Sequence, residues 1–465
     1  MDMPSVAFVS LGCPKNLVDS EKMLGLLAEA GCPIVSEASG LAEVMVVNTC
    51  GFLAASRDEA IEVLRQAAEL KQEGKVKRLV AAGCLVQRDG QSLLEEVPQI
   101  DALLGVHNRG DIVRAVTGRS PAELRNRVSN TDDGRLFLGA YHPNSWVGAN
   151  RSDRTRLRLT PSHYAYLRIS EGCDQKCTFC TIPSIRGPMH CKTVDEIMAE
   201  AGELIADGAR EILLIGQDTT SYGRDIGDGP GLAGLLRTLN ALDGVKWLRL
   251  MYAYPSDFTD EMIDAIAGCE KVTKYIDIPL QHINDRMLKA MYRRVTRKQT
   301  ESLLEKLRDR IPGVAIRTTL IAGFPGETEA QFEELRDFVR DFGFDLLGVF
   351  GYSNEPGTPA HRIEGHLPAE TIQDRVEALM LTQQAVAFAK AAARVGDVFE
   401  VMIDDYGRDG IYPARHQGQA PQVDSLVYVQ GGEHEPGDLL TVRCTAAREY
   451  DLIAEPVPSR LSILQ

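Results

Sequence analysis

The sequence of 465 residues contains no run approaching the roughly eighteen consecutive apolar residues of a membrane-spanning helix, so it offers no candidate span. Its first residues, Met1-Asp2-Met3-Pro4-Ser5, carry no basic cluster, and the apolar stretch behind them is too short for a secretory signal. A cytoplasmic location is therefore expected, where thiols stay reduced. Ten cysteines in such a chain point to metal binding or redox chemistry before disulfides. A basic excess is also missing, because the formal net charge is −15. Phosphate contacts supply most of the affinity of nucleic-acid binders, so this balance argues against RNA and for a basic partner. Long internal repeats and low-complexity tracts are absent too. An apolar content of 44% is ample for the cores of about three domains.

What is present is a long alternation of strand and helix patterns. Apolar runs at 6–10, 44–48, 78–82 and 102–106 read as buried strands, with helical patterns at 16–30 and 56–73. That order predicts a doubly wound parallel sheet over residues 1–118. Residues 119–162, rich in Ser, Asn, Asp, Arg and Gly, read as a linker. From 163 to 395 the alternation resumes, with strands expected at 164–170, 211–215, 246–251, 274–279, 313–319 and 346–351. Six βα units are too few for a closed (βα)8 barrel, so a partial (βα)6 barrel is predicted, ended by a helix at 370–393. Residues 396–465 carry short strands at 398–403, 425–429, 439–444 and 451–454 between Gly, Pro and Asp turns, the pattern of a small antiparallel β-barrel.

Six of the cysteines form two groups of three. Cys173, Cys177 and Cys180 follow the first barrel strand, at the strand end where barrel active sites lie. Three thiolates in that space suit three irons of a four-iron cluster and leave the fourth iron open for chemistry. A zinc site would want a fourth Cys or His at finger spacing, and only His190 and Cys191 follow, well downstream. Cys13, Cys50 and Cys84 each follow a strand of the N-terminal sheet, so a single sheet edge can bring them together. Glycines 12, 51 and 83 adjoin them, giving the backbone close approach to a bulky ligand. The alternative is three buried structural thiols. Cys32, Cys269 and Cys444 have no partners at ligand spacing and read as structural.

The run Cys173-Asp174-Gln175-Lys176-Cys177-Thr178-Phe179-Cys180 resembles the radical S-adenosylmethionine superfamily. The resemblance implies a [4Fe-4S] cluster whose open iron chelates S-adenosyl-L-methionine, and a 5′-deoxyadenosyl radical that abstracts hydrogen. The runs 10–21, 48–52 and 83–88 narrow this to the methylthiotransferases, which implies a second [4Fe-4S] cluster on Cys13, Cys50 and Cys84 to carry the sulfur. Leu11-Gly12-Cys13-Pro14-Lys15-Asn16, 169–173, 217–223 and 275–282 are similar to the branch acting on an aspartate β-carbon of the twelfth small-subunit ribosomal protein. The branch acting on tRNA adenosine tends to read Gly-Cys-Gln-Met-Asn at the first of these runs, and its activity is the alternative. A non-catalytic iron–sulfur electron-transfer protein is the alternative from another class. The resemblance further implies a reductant protein, a sulfur donor and a monomer. By their place beside the cysteine loop or after barrel strands, Phe179, Gln217, Asp218, Gly323 and Gly326 are candidate S-adenosylmethionine contacts, the alternative for the glycine turn 322–328 being an ordinary strand-to-helix connection. The C-terminal segment resembles a TRAM module, a type associated with RNA. Here, from 397 onward, twelve acidic residues stand against five arginines and no lysine, which favours a basic ribosomal protein over tRNA, the alternative being an acidic surface that serves solubility alone. The family's usual Ser-Arg after His190 is Cys191-Lys192 here, and Cys180 remains the expected third ligand. Arg151, Arg154, Arg156 and Arg158 read as a solvated edge strand, and His282 as an ordinary loop histidine.

Overall fold

The computed structural model describes residues 3–118, 129–130, 136–138, 152–227 and 229–458. Strands β1 (Val6–Ser10), β2 (Val44–Thr49), β3 (Arg78–Gly83) and β4 (Ala102–Gly105) lie parallel, side by side in chain order. Every residue of β2 is buried, as expected of an apolar strand covered on both faces. Met23 and Leu27 of the helix Pro14–Glu29 pack on one face of the sheet. Ile61 and Leu64 of the helix Ala54–Gln72 pack on the other. The chain thus leaves β1 and β2 toward opposite faces, and the carboxyl edge splits between them. β5 (Ser129–Asn130) and β6 (Leu136–Leu138), from the stretch read as a linker, extend this sheet, with β6 parallel to β4. Apart from these two strands, residues 119–151, Arg151 among them, fall outside the described residues.

The central domain begins with β7 (Tyr164–Arg168). β8 (Ser170–Glu171) and β9 (His190–Cys191) then pair antiparallel and close the base of the cysteine-bearing loop. β10 (Glu211–Ile215), β11 (Trp247–Leu250), β12 (Val272–Asp277), β13 (Ala315–Ala322) and β14 (Leu346–Gly351) complete an open, six-stranded parallel sheet with β7. This is the partial barrel expected, and its helices enclose the largest apolar core of the molecule. The helix Ala369–Ala393 closes it, with Gln383 donating to the Phe344 carbonyl and Lys390 paired to Asp345.

β15 (Val398–Ile403), β16 (Ile411–His416), β17 (Val427–Gln430), β18 (Leu439–Arg448) and β19 (Asp451–Pro456) form a closed barrel in the order β15-β16-β17-β19-β18. Four of its pairings are antiparallel, and the β17–β19 pairing is parallel. β16 had no sequence signal, because Pro413, Arg415 and His416 interrupt its apolar pattern. The barrel docks on the amino-terminal rim of the central sheet. There Arg415 pairs with Glu211 at 2.8 Å, and Arg249 pairs with the same Glu211 at 2.7 Å. Ala420 enters the apolar cluster of Tyr164, Tyr166 and Tyr275. The small barrel and the cysteines therefore lie at opposite ends of the central strands.

The arginine run is not a solvated edge strand. Residues 152–162 form no strand, and the side chains of Arg156 and Arg158 are buried. Arg156 Nη2 donates to the Tyr166 carbonyl at 2.6 Å, and Arg158 pairs with Asp207 at 2.5 Å. These cations are consumed internally, which removes them as phosphate contacts.

Candidate active site

The parallel register sets Ser10 beside Asn48 and Thr49 beside Gly83, so Cys13, Cys50 and Cys84 emerge from adjacent strand ends. Two asparagines hold the first of these loops. Asn16 Nδ2 donates to the Leu11 carbonyl at 2.6 Å, and Asn48 Nδ2 donates to the Asn16 carbonyl at 3.0 Å. Arg88 Nη1 donates to the Gly51 carbonyl at 2.9 Å and fixes the second. The glycines are required by contact. A Cβ on Gly12, whose φ is +90°, would sit 2.7 Å from the Cys50 Cβ, and one on Gly51 would sit 2.7 Å from the Leu85 Cα. Cys13 is exposed while Cys50 and Cys84 are buried, which gives the group one open side. Burial pushes the Cys84 thiol up to about 12 and raises Cys50 as well.

The loop of Cys173, Cys177 and Cys180 leaves the barrel mouth between β8 and β9. The Cys173 amide donates to the Gly187 carbonyl, and the Cys180 amide to the Cys177 carbonyl. Burial pushes the Cys173 and Cys180 thiols up to about 12. Arg293 Nη1 lies 3.6 Å from Cys177 Sγ, with its guanidinium over the Tyr254 ring. Each group thus includes two thiols, Cys50 with Cys84 and Cys173 with Cys180, whose thiolate form burial disfavours, and a bound cation reverses that preference. Among the described residues no three His, Cys, Asp or Glu side chains converge tightly enough to share one metal ion. A cubane spreads its thiolates over separate irons, so spaced triads at glycine-lined loops fit it better than they fit zinc.

The structure brings the two triads to one seam. Thr181 Oγ1, beside Cys180, donates to the Phe52 carbonyl at 3.3 Å, and Arg186 Nη2 lies 3.1 Å from Cys84 Sγ. A buried ionic network that the sequence did not signal holds this seam. Arg109, Arg168 and Arg186 share Asp19 at 2.7–2.9 Å, Glu171 is shared by Arg168 and Arg186, and Lys192 bridges Asp153 and Glu200. Asp19 and Arg109 belong to the N-terminal domain and the other cations to the central one, so the network fixes their relative position. Lys15 enters from the N-terminal side, with its Nζ 3.1 Å from the centroid of the Tyr252 ring.

The remaining expected contacts divide. Phe179 packs against the cluster of Met287, Met291, Phe324 and Tyr352. Gln217 Nε2 donates to Glu171 at 2.5 Å, while its Oε1 is buried without a partner among the described residues, as a site for a polar ligand would leave it. Asp218 is saturated by Thr220, Ser221 and Gln175, which makes it a clamp on the cysteine loop. The amides of Gly323 and Gly326 already donate to Glu327 and the Gly365 carbonyl, which gives no support to a role in cofactor binding. A Cβ on Gly323 would also collide with Ile372. His282 is fully buried and pairs with Glu327 at 2.9 Å. Cys32, Cys191, Cys269 and Cys444 are core side chains.

Residues 5–105 match the model of uncharacterized protein family UPF0004, 167–339 that of the radical SAM superfamily, and 395–457 that of the TRAM domain. The ribosomal protein uS12 methylthiotransferase RimO of Anaeromyxobacter sp. (strain K) is 42% identical over 456 residues, covering 97% of this chain and 93% of that protein. The protein of the same name from Syntrophus aciditrophicus (strain SB) is 42% identical over 463 residues, covering 98% and 99%. The chain belongs to the ribosomal protein uS12 methylthiotransferase family RimO. Among solved structures, the radical S-adenosylmethionine methyltransferase TsrM of Kitasatospora setae has a TM-score of 0.57 at 16% identity, covering 77% of each chain. The cobalamin-dependent radical enzyme OxsB has a TM-score of 0.52 at 12% identity, covering 82% of this chain and 56% of that one. These likenesses extend to the fold. Among the described residues of this RimO-family chain, no helix is long and apolar enough to cross a membrane.

Proposed function

We infer that this protein adds a methylthio group to the β-carbon of an aspartate on ribosomal protein uS12. The observation that carries this reading is the meeting of two cysteine triads at one seam, in a chain matching RimO proteins over nearly its whole length. Cys173, Cys177 and Cys180 would hold one [4Fe-4S] cluster, and Cys13, Cys50 and Cys84 a second. When bound, the first supplies the electron for cleavage of S-adenosylmethionine, and the second carries the sulfur. The chain's own part is placement. Met287, Met291, Phe324 and Tyr352 form an apolar wall beside Phe179 that excludes water from the cysteine loop. Arg293 sets a positive charge beside Cys177, and Arg186 sets one beside Cys84. The ionic network keeps both triads facing one substrate. A reductant, a sulfur donor and a basic protein substrate complete the reading, with the protein acting as a cytoplasmic monomer and tRNA left aside.

The test is intact-mass analysis of uS12 incubated with the reconstituted protein, S-adenosylmethionine, a reductant and sulfide. A gain of one methylthio group is expected, lost when the target aspartate is replaced. An unchanged uS12 mass alongside modified tRNA would overturn the reading.

A further inference from the structure

Lys15 differs from every other buried cation at the seam. Arg109, Arg168, Arg186 and Lys192 divide Asp19, Asp153, Glu171 and Glu200 among themselves. Lys15 is only 8% exposed, yet its ammonium has no hydrogen bond or ion pair with any described residue. Its ammonium lies against the face of Tyr252, with Cys13, Asp277 and Glu171 the nearby groups of opposite charge. A ring face offsets only part of the cost of stripping an ammonium of water, so the site is left asking for an anion.

The carboxylates nearby are already taken. Asp277 accepts from Arg317 at 2.8 Å and from the Tyr252 amide at 3.0 Å. Glu171 is held by Arg168, Arg186 and Gln217. The platform beneath Lys15 is rigid, because Tyr252 sits at a φ of +60° with its amide bound to Asp277 and its carbonyl to Thr219. Its position is also telling. Lys15 lies two residues past Cys13, whereas Tyr252 follows β11 in the mouth of the partial barrel. The unpaired charge therefore stands where a substrate reaching both triads must pass.

We propose that Lys15 binds the side-chain carboxylate of the substrate aspartate and so selects an acidic residue over its amide. This rests on the reading above and adds the residue that decides which side chain the enzyme accepts. A carboxylate is directly bonded to the β-carbon of aspartate, so anchoring it restrains the carbon that reacts. The ammonium supplies a charge-assisted hydrogen bond that an asparagine oxygen returns only weakly. The rival occupant is an anionic sulfur group on the first triad. In that case Lys15 would serve the triad and be indifferent to the substrate's charge.

The experiment measures the dissociation constants of reconstituted full-length protein for uS12 and for uS12 with the target aspartate replaced by asparagine. Wild type, Lys15→Met and Lys15→Gln are compared, with iron content measured for each. Wild type should prefer the aspartate form by about tenfold or more. Both variants should bring that ratio close to one, chiefly by weakening the aspartate form. A ratio kept at the wild-type value in either variant would overturn the proposal, as would equal weakening of both forms, which leaves the ratio unchanged. Wild type that modifies uS12 without any aspartate preference defeats the proposal alone. Wild type that leaves uS12 unmodified defeats the functional reading, and this proposal with it. An iron-free variant is replaced by Lys15→Arg, in which the retained charge should retain the preference and its loss counts against Lys15.

Discussion

Cys180 and Cys191 bracket the question of which thiols hold iron. They lie eleven positions apart, both near the loop that leaves the barrel mouth. Cys180 shares that loop with Cys177, and its sulfur accepts the Ile182 amide at 3.4 Å. Cys191 ends β9, is 1% exposed, and its sulfur accepts the Gly223 amide at 3.3 Å, inside the main core. Replacing Cys191 by alanine removes one buried sulfur at a cost of about 1–2 kcal/mol and should leave iron at about eight per chain. Replacing Cys180 by alanine should drop iron to about four per chain, with loss of S-adenosylmethionine cleavage. Equal iron loss in both variants would place Cys191 among the ligands. The six clustered cysteines were legible because strand ends and short loops carry them at regular places. Lys15 was legible only as a letter in a motif, since its isolation depends on how Arg317, Arg168 and Arg186 use up the nearby carboxylates.

The strands of both parallel sheets were readable because burial on two faces leaves an unbroken apolar run, as in β2 and β10. The network of Asp19, Arg109, Asp153, Arg168, Glu171, Arg186, Lys192 and Glu200 was not. Its members are spread over three chain segments with no common spacing, and each alone reads as a surface charge. β16 failed for the same reason, because Arg415 and His416 point into a domain interface that sequence pattern does not reveal. At the level of single elements, the turn between β3 and the helix Cys84–Asp89 is the most exacting. Gly83 holds a φ of +97°, and a Cβ there would lie 2.6 Å from the Thr49 carbonyl oxygen and against Asn48. Gly83→Ala must therefore push β3 away from β2 and carry Cys84 away from Cys50. It should cost at least about 1–2 kcal/mol in unfolding free energy and halve the iron content, while substrate-free S-adenosylmethionine cleavage persists. Full iron loading in Gly83→Ala would show that the first triad tolerates the shift.

At the scale of the whole molecule, the small barrel is tied to the central sheet by charge. Asp404 is held below the usual carboxylate range by His163 and Arg415, which outweigh its burial, and Glu211 likewise by Arg415 and Arg249. Their contribution is present above the unfolded carboxylate range and is lost only when pH falls through the lower folded values. His416 acts earlier. Burial, and then Arg394, Arg249 and Arg415, hold it well below its ordinary 6.5, so it stays neutral when docked. An undocked His416 takes up a proton below about 6.5, so its share of docking is present above that pH and fades as pH falls. Hydrogen-exchange protection across β16, taken relative to the intrinsic exchange rate at each pH, should therefore fall between pH 7 and 5, and His416→Gln should flatten that dependence. A profile unchanged by the substitution would move the pH response to other groups.

That docking also bears on substrate capture. The acidic side chains do not form one free surface. Asp404 and Asp424 are committed to Arg415 and to Tyr275 with Arg317, whereas Asp405, Asp409, Glu433 and Glu435 are exposed on the side turned to solvent. The barrel sits at the end of the strands opposite the cysteines, so its charge can steer a basic protein toward the enzyme without touching the reacting residue. Steering of this kind changes the association rate and its salt dependence more than the chemical step. Replacing Asp405, Asp409 and Glu433 together by lysine should slow association with uS12 by about tenfold in low salt. The defect should shrink as ionic strength rises past the screening range, and kcat should hold. Stopped-flow association over a salt series checks this. An association rate equal to wild type in low salt would reduce the acidic barrel to a solubilising surface, and a fall in kcat would mean that the barrel moves to the active face during turnover.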